Sequence, residues 1–251
     1  GHRLHIQWCQ FINNTAKSRA GALHLSHLYY VSLLNTAVIL NKAKMGGGLF
    51  FNGRREKSCQ HKIGCIFVSN CMFSRNIAQI GGAMNIKLAR LIENTRSLFS
   101  LNLCTQYKTG GHKSGGAIYA DGMCMIINRF VKFINNSAVS NGGALRASSI
   151  HYLKNIGCQF IGNSAQQLDG GALSVINTKE LTSINTAFLH NSASRNGGAQ
   201  FLVNNKLVIN VHCIIKCNSA QRIGGCLYAE VVHTIFDLYC HYTFNQGKLD
   251  G

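Results

Sequence analysis

Eight carboxylates, eleven histidines, eleven cysteines and 25 Lys and Arg residues are the reactive groups of this 251-residue chain. Hydrolysis of a glycosidic bond needs two carboxylates facing one another across a substrate. Glu56, Glu93, Asp121, Asp169, Glu180, Glu230, Asp237 and Asp250 are instead scattered. Asp169 sits beside Gly170 in a turn, whereas Asp237 shares a register with Asn94 and Asn128, which puts the two on different edges. A Ca²⁺-dependent lyase would want clustered acids beside an Arg or Lys base, and no such cluster is legible. His24, His27, His112, His151, His190, His212, His233 and His241 share no common spacing and read as surface or cross-strand residues. Gly46-Gly47-Gly48 lacks the Lys-Ser/Thr of a phosphate loop. These spacings predict no catalytic residue, no cofactor and no metal. The competing expectation is a polysaccharide-processing enzyme whose acids converge only in three dimensions.

The cysteines divide into two groups. Cys9, Cys71, Cys158, Cys213 and Cys240 each precede a recurring Asn by five residues, as a buried column of small soft side chains would. Only Cys213 and Cys240 are adjacent repeats there, so within that column a disulfide is geometrically conceivable for that pair alone. Cys59 and Cys65 flank His61 in a stretch outside the regular spacing, where a small disulfide loop, or less readily a metal site, could form. The odd total leaves one thiol free or paired between molecules.

A formal charge of +17 favours polyanionic partners. Lys17, Arg19, Lys42, Lys44, Arg195 and Arg222 lie on the turn between the recurring Asn and the next Gly-Gly, and stacking would align them in a broken stripe. Arg54, Arg55, Lys57 and Lys62 form a second group. Solvated turns carry charge without any ligand, so the stripe has a bland reading as well as a functional one. An acidic glycan or a cell-surface protein is the expected partner for Lys17, Arg19, Lys42, Lys44, Arg54, Arg55, Lys57, Arg195 and Arg222. Nucleic acid is disfavoured, because no recognition helix, RNP-like strand or zinc finger is visible.

A repeat must position all of these groups. An apolar residue, an Asn three later, a turn and Gly-Gly-Ala recur with the second glycine at Gly21, Gly48, Gly82, Gly116, Gly143, Gly171, Gly198 and Gly225. Asn41, Asn102, Asn136, Asn163, Asn191, Asn218 and Asn245 each follow the preceding glycine by 20 residues, and Asn14 opens the series. Asn76 follows Gly48 by 28, which marks an insertion near 52–66, and a second insertion falls near 103–114. The apolar column reads Phe11, Val38, Phe73, Phe99, Phe133, Phe160, Phe188, Ile215 and Tyr242. Asn94, Asn128, Asn155, Ser183, Asn210 and Asp237 form a polar column twelve residues after the glycines.

Each unit of about 27 residues holds three short β-branched or alternating stretches bounded by Asn and Gly, which are strand and turn signals. A repeat of this length cannot close a core alone and must stack. The prediction is an all-β, right-handed, single-stranded parallel β-helix over residues 1–251. About nine coils at about 4.8 Å would make a rod of roughly 40 Å. The absence of proline agrees, since average usage would put about a dozen in such a chain and a laddered strand has little room for them. No run of 18 apolar residues offers a membrane-spanning helix. Asn13-Asn14-Thr15 and Asn135-Asn136-Ser137 are sequons at equivalent places, which an Asn-Asn turn also produces by accident.

Phe133-Ile134-Asn135-Asn136 followed by Gly142-Gly143-Ala144-Leu145 resembles the paired FxxN and GGA[ILV] repeats of the chlamydial polymorphic outer-membrane protein family. Phe160 to Asn163 with Gly170-Gly171-Ala172-Leu173, and Phe73 to Asn76 with Gly81-Gly82-Ala83-Met84, carry the same resemblance. It implies a pectate-lyase-like solenoid serving as a surface-exposed adhesive passenger. The chain begins on Gly1 and carries neither a membrane barrel nor a secretion signal, so it is expected to be a segment of a longer protein. The resulting expectation is a non-catalytic extracellular or cell-surface adhesion or scaffolding segment, with an inert stalk as a further alternative.

Overall fold

A computed structural model describes residues 2–54, 59, 63–105 and 114–249. The chain winds as a parallel β-helix of about nine coils, each strand pairing with its copy one coil on. Numbering coils by the recurring asparagine places Asn14 in coil 1 and Asn245 in coil 9. No helix is long and apolar enough to cross a membrane.

Each coil has three faces and one narrow edge. The strands after Gly-Gly form the first face, from Leu23–Ser26 through Leu145–Ser148 to the start of Leu227–Leu238. The middle face runs from Arg3–Gln7 through Met125–Arg129 to the end of the same long strand. These two faces are separate until Gln200–Val211, which passes through both without a break. The third face is a nine-stranded sheet of three-residue strands centred on the Phe column. The narrow edge follows the recurring Asn and contains the turn cations.

Alternation decides what faces inward. On the first face the first and third residues are buried, as in Leu49 and Phe51, Met84 and Ile86, or Leu173 and Val175. On the middle face the second and fourth are buried, as in Ile92 and Asn94 or Leu181 and Ser183. On the third face Phe73, Phe99, Phe133, Phe160 and Phe188 stack with centroids 4.8–5.1 Å apart and planes within 15°. That spacing is the strand spacing itself, so backbone pairing and ring stacking reinforce one another.

The recurring asparagines form an unbroken ladder inside the turn. In coil 6, Asn163 donates from Nδ2 to Phe133 O and to Asn191 Oδ1, at 2.9 and 3.0 Å. Its Oδ1 accepts the N–H and the Nδ2–H of Asn136. The same four bonds recur from Asn41 to Asn218, so each buried amide has every donor satisfied. The second polar column is also interior from Asn94 to Asn210, and only Asp237 at its end is exposed. Asn94 donates to Asn128, Asn128 to Asn155, and Asn210 to Asp237. This column is incompletely satisfied, since Asn94 Oδ1, Asn155 Nδ2 and Ser183 Oγ are buried without partners.

Two features differ from the sequence reading. Leu23 pairs with Leu49 and Leu49 with Met84, so the second anchor glycine is Gly47, not Gly48. Gly48 instead fills the slot that alanine occupies in other coils, and the run of three glycines hid this one-residue shift. Cys59 is bonded to Cys124, and Cys65 is a free thiol. Cys65 is held in a strand between Tyr30 and Leu91, whereas Cys124 lies at the corner just before the strand Met125–Arg129. His61 lies outside the described residues, and Cys59 in its disulfide is no longer available as a metal ligand. Cys213 and Cys240 are free as well, with Cys213 N–H directed at Cys240 Sγ at 3.4 Å.

Candidate anion-binding edge

The turn cations separate into two groups along the rod. Lys42 N–H donates to Asn14 O, Ala16 N–H to Lys42 O and Lys44 N–H to Ser18 O, so residues 16–18 run alongside 42–44. Lys17, Arg19, Lys42 and Lys44 are exposed there. A cleft of about 460 Å³ opens beside them, lined by Ala16, Lys17, Ser18, Arg19 and His24. The Arg19 guanidinium lies 5.1 Å over the Phe50 ring, and the His24 ring packs edge-on to the same ring at 5.3 Å. Phe50 thereby packs against both polar groups at the cleft. Among the described residues no carboxylate forms a salt bridge with Lys17, Arg19, Lys42 or Lys44.

Among the described residues the stripe stops at coil 2. The register of the edge places Gln79, Thr105, Val139 and Gln166 where Lys44 stands, all uncharged. Among the described residues of this edge, cations return with Arg195 and Arg222 in coils 7 and 8, about 24 Å beyond Lys44. Arg222 N–H donates to Arg195 O, which stacks the two turns. Arg195 is committed to Asp169: Nε donates to Oδ1 at 2.9 Å and a second guanidinium nitrogen to Oδ2. Asp169 is buried and also accepts Asn196 N–H at 3.0 Å. The hydrogen bond to Asp169 raises Arg195 above the ordinary guanidinium range. Arg54 lies past Leu49–Asn52, at the far corner of the first face and about 13 Å from the Lys44 edge. Arg55, Lys57 and Lys62 lie outside the described residues.

The described acids are each engaged locally. Glu93 pairs with Arg129 at 3.0 Å and Glu180 with Lys154 at 3.7 Å. Asp237 accepts from Asn210, and Glu230 from the Tyr228 hydroxyl. One convergence was not legible in the sequence. Arg146 points outward from the first face yet is 7% exposed, donating to Ser174 Oγ at 2.9 Å. Burial lowers its affinity for the proton, while Tyr119, Asp121 and Asp169 oppose that shift. Burial, followed by the Asp121 charge, drives the Tyr119 hydroxyl well above the ordinary tyrosine range. Arg146, Tyr119, Asp121 and Asp169 therefore influence one another electrostatically on the outer side of the first face.

Sequence reasoning missed His24 and Phe50 because their role depends on which strand positions face outward. Strand alternation within His24's own face was the available signal. No known protein family, curated protein or solved structure matches this chain.

Proposed function

We propose that this chain is a non-catalytic extracellular or cell-surface scaffolding and adhesion segment that binds acidic glycans on coils 1 and 2. The observation that carries the reading is the 460 Å³ cleft whose cations have no carboxylate partner among the described residues. Cations that form no salt bridge among the described residues suit sulfate or carboxylate groups on a pyranose, and the buried Phe50 ring orients Arg19 from beneath. The resemblance of the FxxN and GGA phrase to polymorphic outer-membrane proteins supports the surface placement. An enzyme is the second reading, and the gathering of Asp121 and Asp169 around Arg146 is the observation in its favour. Asp169 is already held by Arg195 and the Asn196 N–H, which leaves it poorly placed to exchange a proton.

Size exclusion of the folded chain mixed with neutral and acidic polysaccharides tests both readings. Glycan binding moves protein into the acidic polymer peak at low salt and less so at physiological salt, as screening requires. Polymer shortening would overturn the non-catalytic reading. Absence of either effect would leave an inert stalk.

A further inference from the structure

The disulfide Cys59–Cys124 crosses a long stretch of the rod. The chain leaves the first face after Asn52 in coil 2 and re-enters the middle face at Cys65 in coil 3. Cys59, on that excursion, is bonded to the corner that opens coil 5. Both sulfur-bearing residues line a cavity of about 350 Å³, together with Arg90, Leu91, Met125, His151 and Tyr152. His151 Nδ1 is 3.1 Å from Cys59 Sγ. Arg90 is exposed and, among the described residues, in no ion pair.

Thiol–disulfide exchange proceeds fastest when the departing sulfur is the better-stabilised thiolate. An imidazole at hydrogen-bond distance, with a guanidinium nearby, stabilises a thiolate. Among the described residues the imidazole contacts Cys59 and not Cys124, so Cys59 is the leaving group and Cys124 the sulfur attacked. The flanking strands Leu49–Asn52 and Cys65–Ser69 are each paired with coils on both sides, so opening the bond does not unwind the solenoid. The column thiols contrast with this site. Cys71, Cys158 and Cys213 are buried, and burial pushes Cys158 and Cys213 up to about 11, which keeps them protonated and unreactive.

We propose that the Cys59–Cys124 corner is a thiol-exchange site that takes a small carboxylate-bearing thiol as a mixed disulfide on Cys124. The incoming thiolate attacks Cys124 Sγ, and a bond forms between the two sulfurs. The Cys59–Cys124 bond breaks, and its electron pair leaves on Cys59 Sγ, which His151 Nδ1–H then stabilises. One disulfide is exchanged for another, so no external oxidant is consumed. Leu91, Met125 and Tyr152 shape an apolar floor for the body of the thiol, and Arg90 receives its carboxylate.

The test uses the full oxidised chain with three thiols: glutathione, neutral 2-mercaptoethanol and cationic cysteamine. Acid-quenched samples are followed by intact mass and peptide mapping. The expected result is a single adduct on Cys124, formed fastest with glutathione. His151→Ala should slow formation about tenfold with all three thiols, and His151→Arg should recover much of the rate. Arg90→Gln should slow glutathione alone. Cys59→Ser frees Cys124, and oxidised glutathione should then label that residue even if the His151 variants fold poorly. An adduct confined to other cysteines, a rate indifferent to His151, or an unlabelled Cys124 in the Cys59→Ser chain would each overturn the proposal.

Discussion

Asn163 Oδ1 accepts both the backbone N–H and the side-chain Nδ2–H of Asn136, each at 3.0 Å, one coil apart. The two groups it satisfies are buried and have no access to water. Replacing Asn163 by Ala therefore orphans both donors of Asn136, and in addition Phe133 O loses an N–H donor. An unsatisfied buried group costs about 1–3 kcal/mol, so Asn163→Ala should lose about 3–5 kcal/mol. Urea unfolding of the variant beside the parent chain measures this. A loss below about 1 kcal/mol would show that the ladder is dispensable.

The two groups of turn cations should behave oppositely. Lys42→Ala with Lys44→Ala removes exposed charge that forms no salt bridge among the described residues, and should change stability by less than about 0.5 kcal/mol. The same pair should weaken retention on an acidic-glycan column, so that protein elutes at lower salt. Arg195→Ala uncovers the buried Asp169 carboxylate and should cost about 2–4 kcal/mol, discounted because Arg195 is partly exposed. Elution should hardly move. Equal elution shifts for the two sets would contradict the placement of the ligand edge on coils 1 and 2.

Cys158 supplies a pH dependence. Burial raises its thiol to about 11 from an ordinary value near 9. Below pH 9 the thiol is protonated in folded and unfolded chains alike, and its burial carries no ionisation cost. Between 9 and 11 the unfolded chain releases the proton and the folded chain does not, so stability falls as pH rises. The loss from this one site should reach about 2 kcal/mol by pH 11. Denaturation midpoints for the parent and Cys158→Ala from pH 8 to 11 isolate it. Parallel curves would remove the assignment.

Gly143 is fixed by crowding. A methyl group there would press on Gly171 O and on Ser164 N, where one coil's glycine corner meets the next coil's Asn edge. Neighbouring Gly142 is a glycine for a different reason, its φ of 66°. Gly143→Ala should cost about 2–3 kcal/mol through a forced backbone shift, well above the effect of Ala at an exposed turn. Thermal unfolding would show it, and a neutral result would mean that adjacent coils separate more freely than their ladder bonds imply.

Leu101 tests the turn itself. It is an exposed leucine with φ of 56°, directly before ladder residue Asn102. A branched aliphatic side chain pays about 1–2 kcal/mol in the left-handed region, which Asn tolerates better. Leu101→Asn should raise stability by about 1 kcal/mol, read as a higher denaturation midpoint.

The architecture was legible because it is written one coil at a time. Phe73 and Phe99 stack, and Asn76 bonds to Asn102, because a fixed spacing in the chain becomes a fixed height in the solenoid. Short-range spacing therefore determined the parallel pairing, the aromatic column and the asparagine ladder. It also put Lys17, Lys42 and Lys44 on one edge. Spacing could not separate Gly47 from Gly48, because three consecutive glycines offer no side chain to mark the register. It was equally silent on relations that leave the repeat. The bond from Cys59 to Cys124 and the approach of His151 to that sulfur join coils that are not neighbours, and the packing of Arg19 on Phe50 joins inequivalent positions of adjacent coils. Repetition encodes contacts between equivalent positions, whereas these contacts join inequivalent ones, and only the folded chain brings them together.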